Sequence, residues 1–243
     1  MVGRFSRLVV AMTIRMPKWF VGWVSRRYVA GTKLSDAVKV MQRLSKEGAC
    51  FTIDVLGEEI TSMEEATFFL EEYKRVISAI IDNELDSNLS IKPTAFGLLL
   101  DREKGMENIE TLVKMAQGYD MFVRLDMEDH RVTEDTIQVM LDMHQKGLTN
   151  VGVVLQGRLF RTLDDIERIK QILGPNADYR ICKGIYLEPD EISHTDRKPI
   201  IDATNKCIDA MLDAGAYVGV ASHDYPVVDH TIAALESRGM GPN

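Results

Sequence analysis

Six apolar stretches of this 243-residue chain each end in side chains that carry charge or exchange protons. Asp54 and Glu58 bracket the end of the first, and Lys92 lies at the end of the second. Asp126, Glu128 and Asp129 close the third, and Gln156 ends the fourth. Arg180, Lys183 and Tyr186 decorate the fifth, and His223 with Asp224 ends the sixth. Singly, each has a mundane reading: a solvated or salt-bridged cation, or a satisfied structural histidine. Together they say more. Strand alternation puts Arg124, Asp126 and Glu128 on one face. If that face points inward, these charges must pair with one another or bind something.

Two chemistries are to be tested on such a set. A metal site needs histidine and carboxylate ligands that converge. Only His130 and His223 lie near strand ends, with no H-x-H or H-E-x-x-H spacing, so no metal is expected. A Schiff-base lyase would use Lys92 or Lys183 as its amine, with burial lowering the lysine pKa. The chain has no G-x-G-x-x-G opening a helix and no Walker A sequence. Barrels hold flavin by other means, so this absence does not exclude it.

The elements that must position these groups repeat as strand, then helix. The apolar stretches are Phe51–Glu58, Leu89–Thr94, Phe122–Asp126, Val151–Gln156, Tyr179–Tyr186 and Val218–His223. Each is followed by a segment of helical period, which predicts a parallel sheet with its site at the strand C-terminal ends. Leu34, Ala37, Val38, Met41 and Leu44 share one helical face before Gly48. Thr61-Ser-Met-Glu-Glu65 offers overlapping capping boxes for a helix to about Asn83. Further helices are predicted from Asn108 to Gly118, from a Thr133 cap to Gly147, and from Thr162 to near Gly174. The last two run from Pro199 to Gly215 and from Pro226 to Arg238. The expected architecture is a distorted α/β fold of the (β/α)8 TIM-barrel type with about six β/α units present. Residues 1–33 are expected to form an N-terminal helical segment, and 34–243 an incomplete catalytic barrel.

Composition bounds the rest. The formal net charge is -8 with no long basic run, which argues against nucleic-acid binding. Cys50, Cys182 and Cys207 show no C-x-x-C spacing, which points to free thiols in a reducing, cytoplasmic compartment. Cys50 and Cys182 read as small buried hydrophobes. Leu8–Ile14 is too short and too closely followed by Arg15 and Lys18 to span a membrane. Leu8 to Val24, with Trp19, Phe20 and Trp23, reads as an amphipathic helix broken at Pro17. It would cover one end of the fold, with peripheral contact at the inner face of a membrane as the second reading.

In order and spacing, Asp54-Val-Leu-Gly-Glu58, Ser90-Ile-Lys-Pro93, Arg124-Leu-Asp-Met127, Val154-Leu-Gln156, Arg180-x-x-Lys-Gly-x-Tyr186 and Ser222-His223 resemble the proline dehydrogenase family in its single-function bacterial form. The likeness runs from about Arg27 to Asp224, and Arg180–Tyr186 with Leu187-Glu188-Pro189 is its most specific piece. It implies a distorted (β/α)8 barrel holding FAD, oxidising L-proline to 1-pyrroline-5-carboxylate and passing electrons to a quinone. It implies that Arg180 stabilises charge on the flavin ring and that Gln156 hydrogen-bonds that ring. Met127, Lys183, Gly184, Ile185, Ser222 and His223 match the other FAD contacts. Lys92 matches a lysine that pairs with the substrate carboxylate. Asp126 and Tyr186 match residues that organise the pocket, and Glu58 an acidic residue at its mouth.

The family's pattern continues for two more β/α units and a helix whose arginine pair grips the proline carboxylate. Arg26-Arg27 and Arg197-Lys198 do not match that pair. The sequence therefore reads as a C-terminally truncated member, expected to be poorly active alone. Two alternatives stay open: a lyase using Lys92 or Lys183, and a non-catalytic fragment.

Overall fold

A computed structural model describes residues 28–58 and 60–241. They form two units, the first made of residues up to Phe51 with Ala79–Asp86, the second of Thr52–Ser78 and everything from Ser87 onward. The amphipathic helix expected within Leu8–Val24 lies outside the described residues, and residues 28–33 carry no helix.

In the first unit, α1 (Leu34–Ser45) follows the predicted span and buries Met41. Gln42 Nε2 donates to Asn83 Oδ1 at 2.8 Å. Here one expectation fails. Cys50 is not buried but exposed, its thiol donating to Asp86 Oδ2 at 3.1 Å. It sits at the solvent-facing entry to a strand, where none of the described residues covers it. Cys182 is half-buried and Cys207 is the buried one, its thiol pushed up to about 12 by burial.

Among the described residues the sheet has six strands in sequential order: β1 (Phe51–Ile53), β2 (Ser87–Ile91), β3 (Val123–Leu125), β4 (Val151–Gln156), β5 (Asp178–Cys182) and β6 (Tyr217–Val220). Each pair from β2 to β6 is parallel. Between the strands run α2 (Met63–Asp82), α3 (Arg102–Gln117), α4 (His130–Gln145), α5 (Thr162–Leu173) and α6 (Arg197–Asp213), with α7 (Tyr225–Ser237) after β6. This is the (β/α)-barrel type anticipated, with β1 and β6 as its edges. One face of the sheet is apolar: Leu89, Ile91, Val123, Leu125, Val151 and Val153 alternate along their strands and are wholly buried, while Ser90 and Arg124 occupy the other face.

Local chemistry explains where the boundaries differ from prediction. At α2, Ser62 Oγ accepts from Glu65 N at 3.4 Å, while Glu65 turns to the hydroxyl of Thr61 at 2.8 Å. Only half of the capping box forms. Helix α4 begins at His130, not at a Thr133 cap. Asp129 accepts from Arg131 N at 2.9 Å, and Thr133 bonds back into the first turn. Helix α3 begins at Arg102 rather than Asn108, with Asp101 as its cap. Its first turns carry Gly105, which weakens the helical pattern in sequence.

The reason for that glycine is packing. A Cβ at Gly105 would lie 2.7 Å from Leu98 N and 2.8 Å from Leu98 Cα, both backbone atoms. Alanine would gain about 1 kcal/mol of helix propensity. The collision should cost about 1–3 kcal/mol. We expect Gly105→Ala to be neutral to destabilising, with an unchanged m-value in urea. A raised urea midpoint would show that the backbone contact yields freely.

Candidate active site

The charged groups expected at the strand ends do converge. Lys92 follows β2 directly and opens a 3-10 turn, Pro93–Phe96. Its Nζ lies 2.5 Å from Asp54 Oδ2 and 3.8 Å from Asp126 Oδ2. Asp126, one residue past β3, accepts from Ser90 Oγ at 2.6 Å. Arg180, inside β5, donates from Nη1 to that same Ser90 Oγ at 3.1 Å and lies 3.5 Å from Asp126 Oδ1. Asp126 thus receives the Ser90 hydroxyl and faces two cations, Lys92 and Arg180, while Lys92 also pairs with Asp54. Arg124, on the same face of β3, pairs instead with Asp178 at 2.6 Å.

Burial tunes these groups in opposite senses. It raises the Asp126 carboxyl above its ordinary range, although Ser90, Lys92 and Arg180 all pull it down. Burial also works against the Lys92 ammonium, but the bond to Asp54 and the charges of Asp54 and Asp126 outweigh it, so Lys92 is raised overall. A lysine held so firmly charged is a poor amine nucleophile, since Schiff-base chemistry needs the neutral form. Because folding disfavours the Asp126 anion, this group subtracts stability as pH rises through its folded pKa.

Two positions around this centre carry no sequence expectation. Tyr73 is buried on α2, and its hydroxyl lies 3.0 Å from Asp54 Oδ1 and 2.8 Å from the Ser90 carbonyl. It also accepts from Val55 N at 3.1 Å, satisfying the backbone where β1 ends early. Burial, then the charge of Asp54, pushes its phenol up, so it stays protonated. In sequence Tyr73 looks like one more apolar-face residue of a helix. Ser90 lies in a quoted motif, but serines are common, and only the fold sets this one between a carboxylate and a guanidinium.

The expected cofactor positions divide. Gln156, the last residue of β4, is buried; its Nε2 donates to the Glu128 carbonyl at 2.6 Å, and its Oε1 has no partner among the described residues. Gly184 turns with φ +96, and a Cβ there would lie 2.5 Å from Gln156 Oε1. Only glycine suits that backbone and that approach. Met127 is buried. Lys183 donates to Asp224 Oδ2 at 2.7 Å, a contact that holds the Asp224 carboxyl low. Ser222 accepts from Asp224 N at 3.1 Å. His223 is exposed, and Ile185 is 85% exposed.

Toward the mouth, Tyr186 donates to Glu58 Oε2 at 3.0 Å, so these two expected positions meet. They line a cavity of about 220 Å³ with Thr94, Glu128 and Val132 among its other walls. Glu128 is raised by burial and is bonded by the Thr94 hydroxyl at 2.5 Å and the Thr94 amide at 3.0 Å. Beside it, the buried Glu188 clasps His130, at 3.1 Å to its backbone N and 2.6 Å to Nδ1.

A (β/α)-barrel enzyme with its polar centre at the strand C-terminal ends is thus defined by fold and site together. Residues 37–243 match the family model described as proline dehydrogenase. The chain is 36% identical over 207 residues to proline dehydrogenase 1 of Bacillus subtilis subsp. natto, covering 85% of this chain and 67% of that protein. It is 30% identical over 222 residues to the proline dehydrogenase of Deinococcus radiodurans, covering 90% and 71%. Among solved structures, proline utilization A from Bdellovibrio bacteriovorus, inactivated by N-propargylglycine, superposes with a TM-score of 0.83 at 18% identity. That match covers 98% of this chain and 29% of that one. This chain belongs to the proline dehydrogenase family.

Proposed function

We propose that this protein oxidises L-proline to 1-pyrroline-5-carboxylate with FAD as its cofactor and a quinone as the final acceptor. The observation that carries the proposal is the convergence of Lys92, Ser90 and Arg180 on Asp126. Proline presents a carboxylate and a ring nitrogen, and this cluster offers a cation for the first and a carboxylate for the second. Lys92 has three donors, and its two carboxylate neighbours leave one for a substrate carboxylate. Asp126, with its raised pKa, is suited to orient or accept a proton from the ring nitrogen.

The residues present also fit a flavin. Gln156 Oε1 is a buried acceptor without a donor among the described residues, beside a turn kept open by Gly184. Arg180 supplies a fixed guanidinium at the same strand ends, where negative charge would develop during oxidation. When bound, FAD supplies the hydride acceptor that no side chain can provide. Oxidation removes a hydride from the ring carbon and a proton from the ring nitrogen, leaving a C=N bond. The chain's own part is to hold the ring, fix its carboxylate and keep a carboxylate near the nitrogen.

The quinone and a peripheral membrane contact are read from exposed apolar side chains. Leu56, Ile185 and Leu187 are 86%, 85% and 98% exposed on segments that follow β1 and β5. Exposed apolar groups there suit an apolar acceptor. No helix among the described residues is long and apolar enough to cross a membrane.

The test is a visible absorbance spectrum of the purified protein, before and after anaerobic addition of L-proline. Flavin bands that bleach with proline are expected. Bound flavin that proline leaves unreduced would count against proline as substrate. Protein that neither retains nor rebinds flavin would overturn the cofactor assignment.

A further inference from the structure

Arg158 lies two residues past the end of β4 and is only 8% exposed. No carboxylate pairs with it among the described residues, and its Nε has no partner. A buried guanidinium without a counter-ion is costly unless it organises something. Its bonds show what it organises. Arg158 N donates to the Lys183 carbonyl at 3.1 Å, and Nη1 donates to the Tyr186 carbonyl at 2.5 Å. Between these two anchor points lie Gly184 and Ile185. A Cβ on Gly184 would stand 2.6 Å from Arg158 Cδ and 2.9 Å from Cγ, so the turn is seated directly on the arginine stem. On its far side, Nη2 donates to the His194 carbonyl at 3.3 Å, and His194 N donates back to the Arg158 carbonyl at 2.8 Å.

We infer that Arg158 is a positioning residue that fixes the 183–186 turn from beneath, tying it to the 194 loop, and so presets the cofactor face of the site. The inference rests on the flavin reading for its functional consequence. Two features make the arginine specific. Its planar fork reaches two carbonyls on different loops from two separate nitrogens, a fixed span that a lysine's single nitrogen does not reproduce. Its stem fills the space that a Cβ on Gly184 would need, so stem and glycine fit each other. A turn held at both ends loses less conformational freedom when a ligand binds to it.

The variants are Arg158→Lys, which keeps charge and stem, and Arg158→Met, which keeps only the stem. Two readouts separate this inference from the flavin assignment. The first is amide hydrogen exchange in flavin-free protein. Both variants should exchange faster over 183–187 and at 194, with β4 and β5 unchanged. The second is FAD affinity, from fluorescence quenching on reconstitution of the apoprotein. Both should bind about 10-fold more weakly or worse, the range for residues that orient ligand-contacting groups. Wild-type exchange over the turn in the lysine variant would overturn the inference. So would wild-type FAD affinity in both variants. If wild-type protein takes up no FAD while the variants still loosen the turn, the flavin assignment fails and the positioning role stands.

Discussion

Replacing Arg180 with methionine is expected to slow reduction of the bound flavin by L-proline about 10²–10³-fold, the loss typical when a fixed electrostatic donor is removed. The guanidinium is held by Ser90 Oγ at 3.1 Å and stands 3.5 Å from Asp126. Burial and the nearby Arg124 charge lower its pKa, but an arginine remains a cation throughout the working range. It is a charge already paid for by the fold and available before the reaction begins. Methionine keeps the stem and removes the charge. A second consequence fixes the mechanism. Arg180 is one of the cations that hold the Asp126 carboxyl down against burial. Without it the carboxyl should rise further, moving the acid limb of the rate profile to higher pH. The measurement is anaerobic stopped-flow reduction across pH. A slower rate with an unmoved acid limb would mean that Asp126 does not set the limb. An unchanged rate would remove Arg180 from the chemistry.

How far this centre was legible in sequence depended on whether a residue's role follows from its place on a strand. Lys92, Asp126 and Gln156 sit at strand C-terminal ends, and the sheet's parallel order brings those ends together whatever the loops do. The spacing of apolar stretches therefore located them. Tyr73 was hidden because a tyrosine on an apolar helical face has the same pattern whether its hydroxyl is idle or joins Asp54 to Ser90. Arg158 was hidden for a related reason. It follows Gln156-Gly157 closely enough to invite attention, yet its partners are backbone carbonyls at 186 and 194, far along the chain. The short β1 escaped too. Phe51–Glu58 alternates well enough to read as one strand, but the Tyr73 hydroxyl takes the Val55 amide that a longer ladder would have used. Helix α3 shows the converse: Gly105 breaks the propensity pattern because the backbone of Leu98 needs the space.

The Lys92–Asp54 pair allows a test in which two substitutions must act with opposite sign. Lys92→Met should raise KM for proline roughly 30- to 5,000-fold, corresponding to about 2–5 kcal/mol for losing one partner of a desolvated charge pair. If Lys92 binds the carboxylate equally in ground and transition states, the rate at saturation should change far less. The substitution also removes a cation that pulls the Asp126 carboxyl down, so the acid limb should move to higher pH. Asp54→Asn acts the other way on that limb. Asp54 is the like-charged neighbour that raises Asp126, and removing its charge should move the limb to lower pH. The same change withdraws the strongest support for the Lys92 ammonium, whose pKa should then fall as burial takes over. An alkaline limb absent from the wild type should come within reach in Asp54→Asn alone. Limbs that move in the same direction in both variants would show that the titrating group is not Asp126. A KM left unchanged by Lys92→Met would show that the carboxylate is held elsewhere. Opposed limbs with the KM effect confined to the lysine variant would place the substrate carboxylate on Lys92 and the proton-handling carboxyl on Asp126.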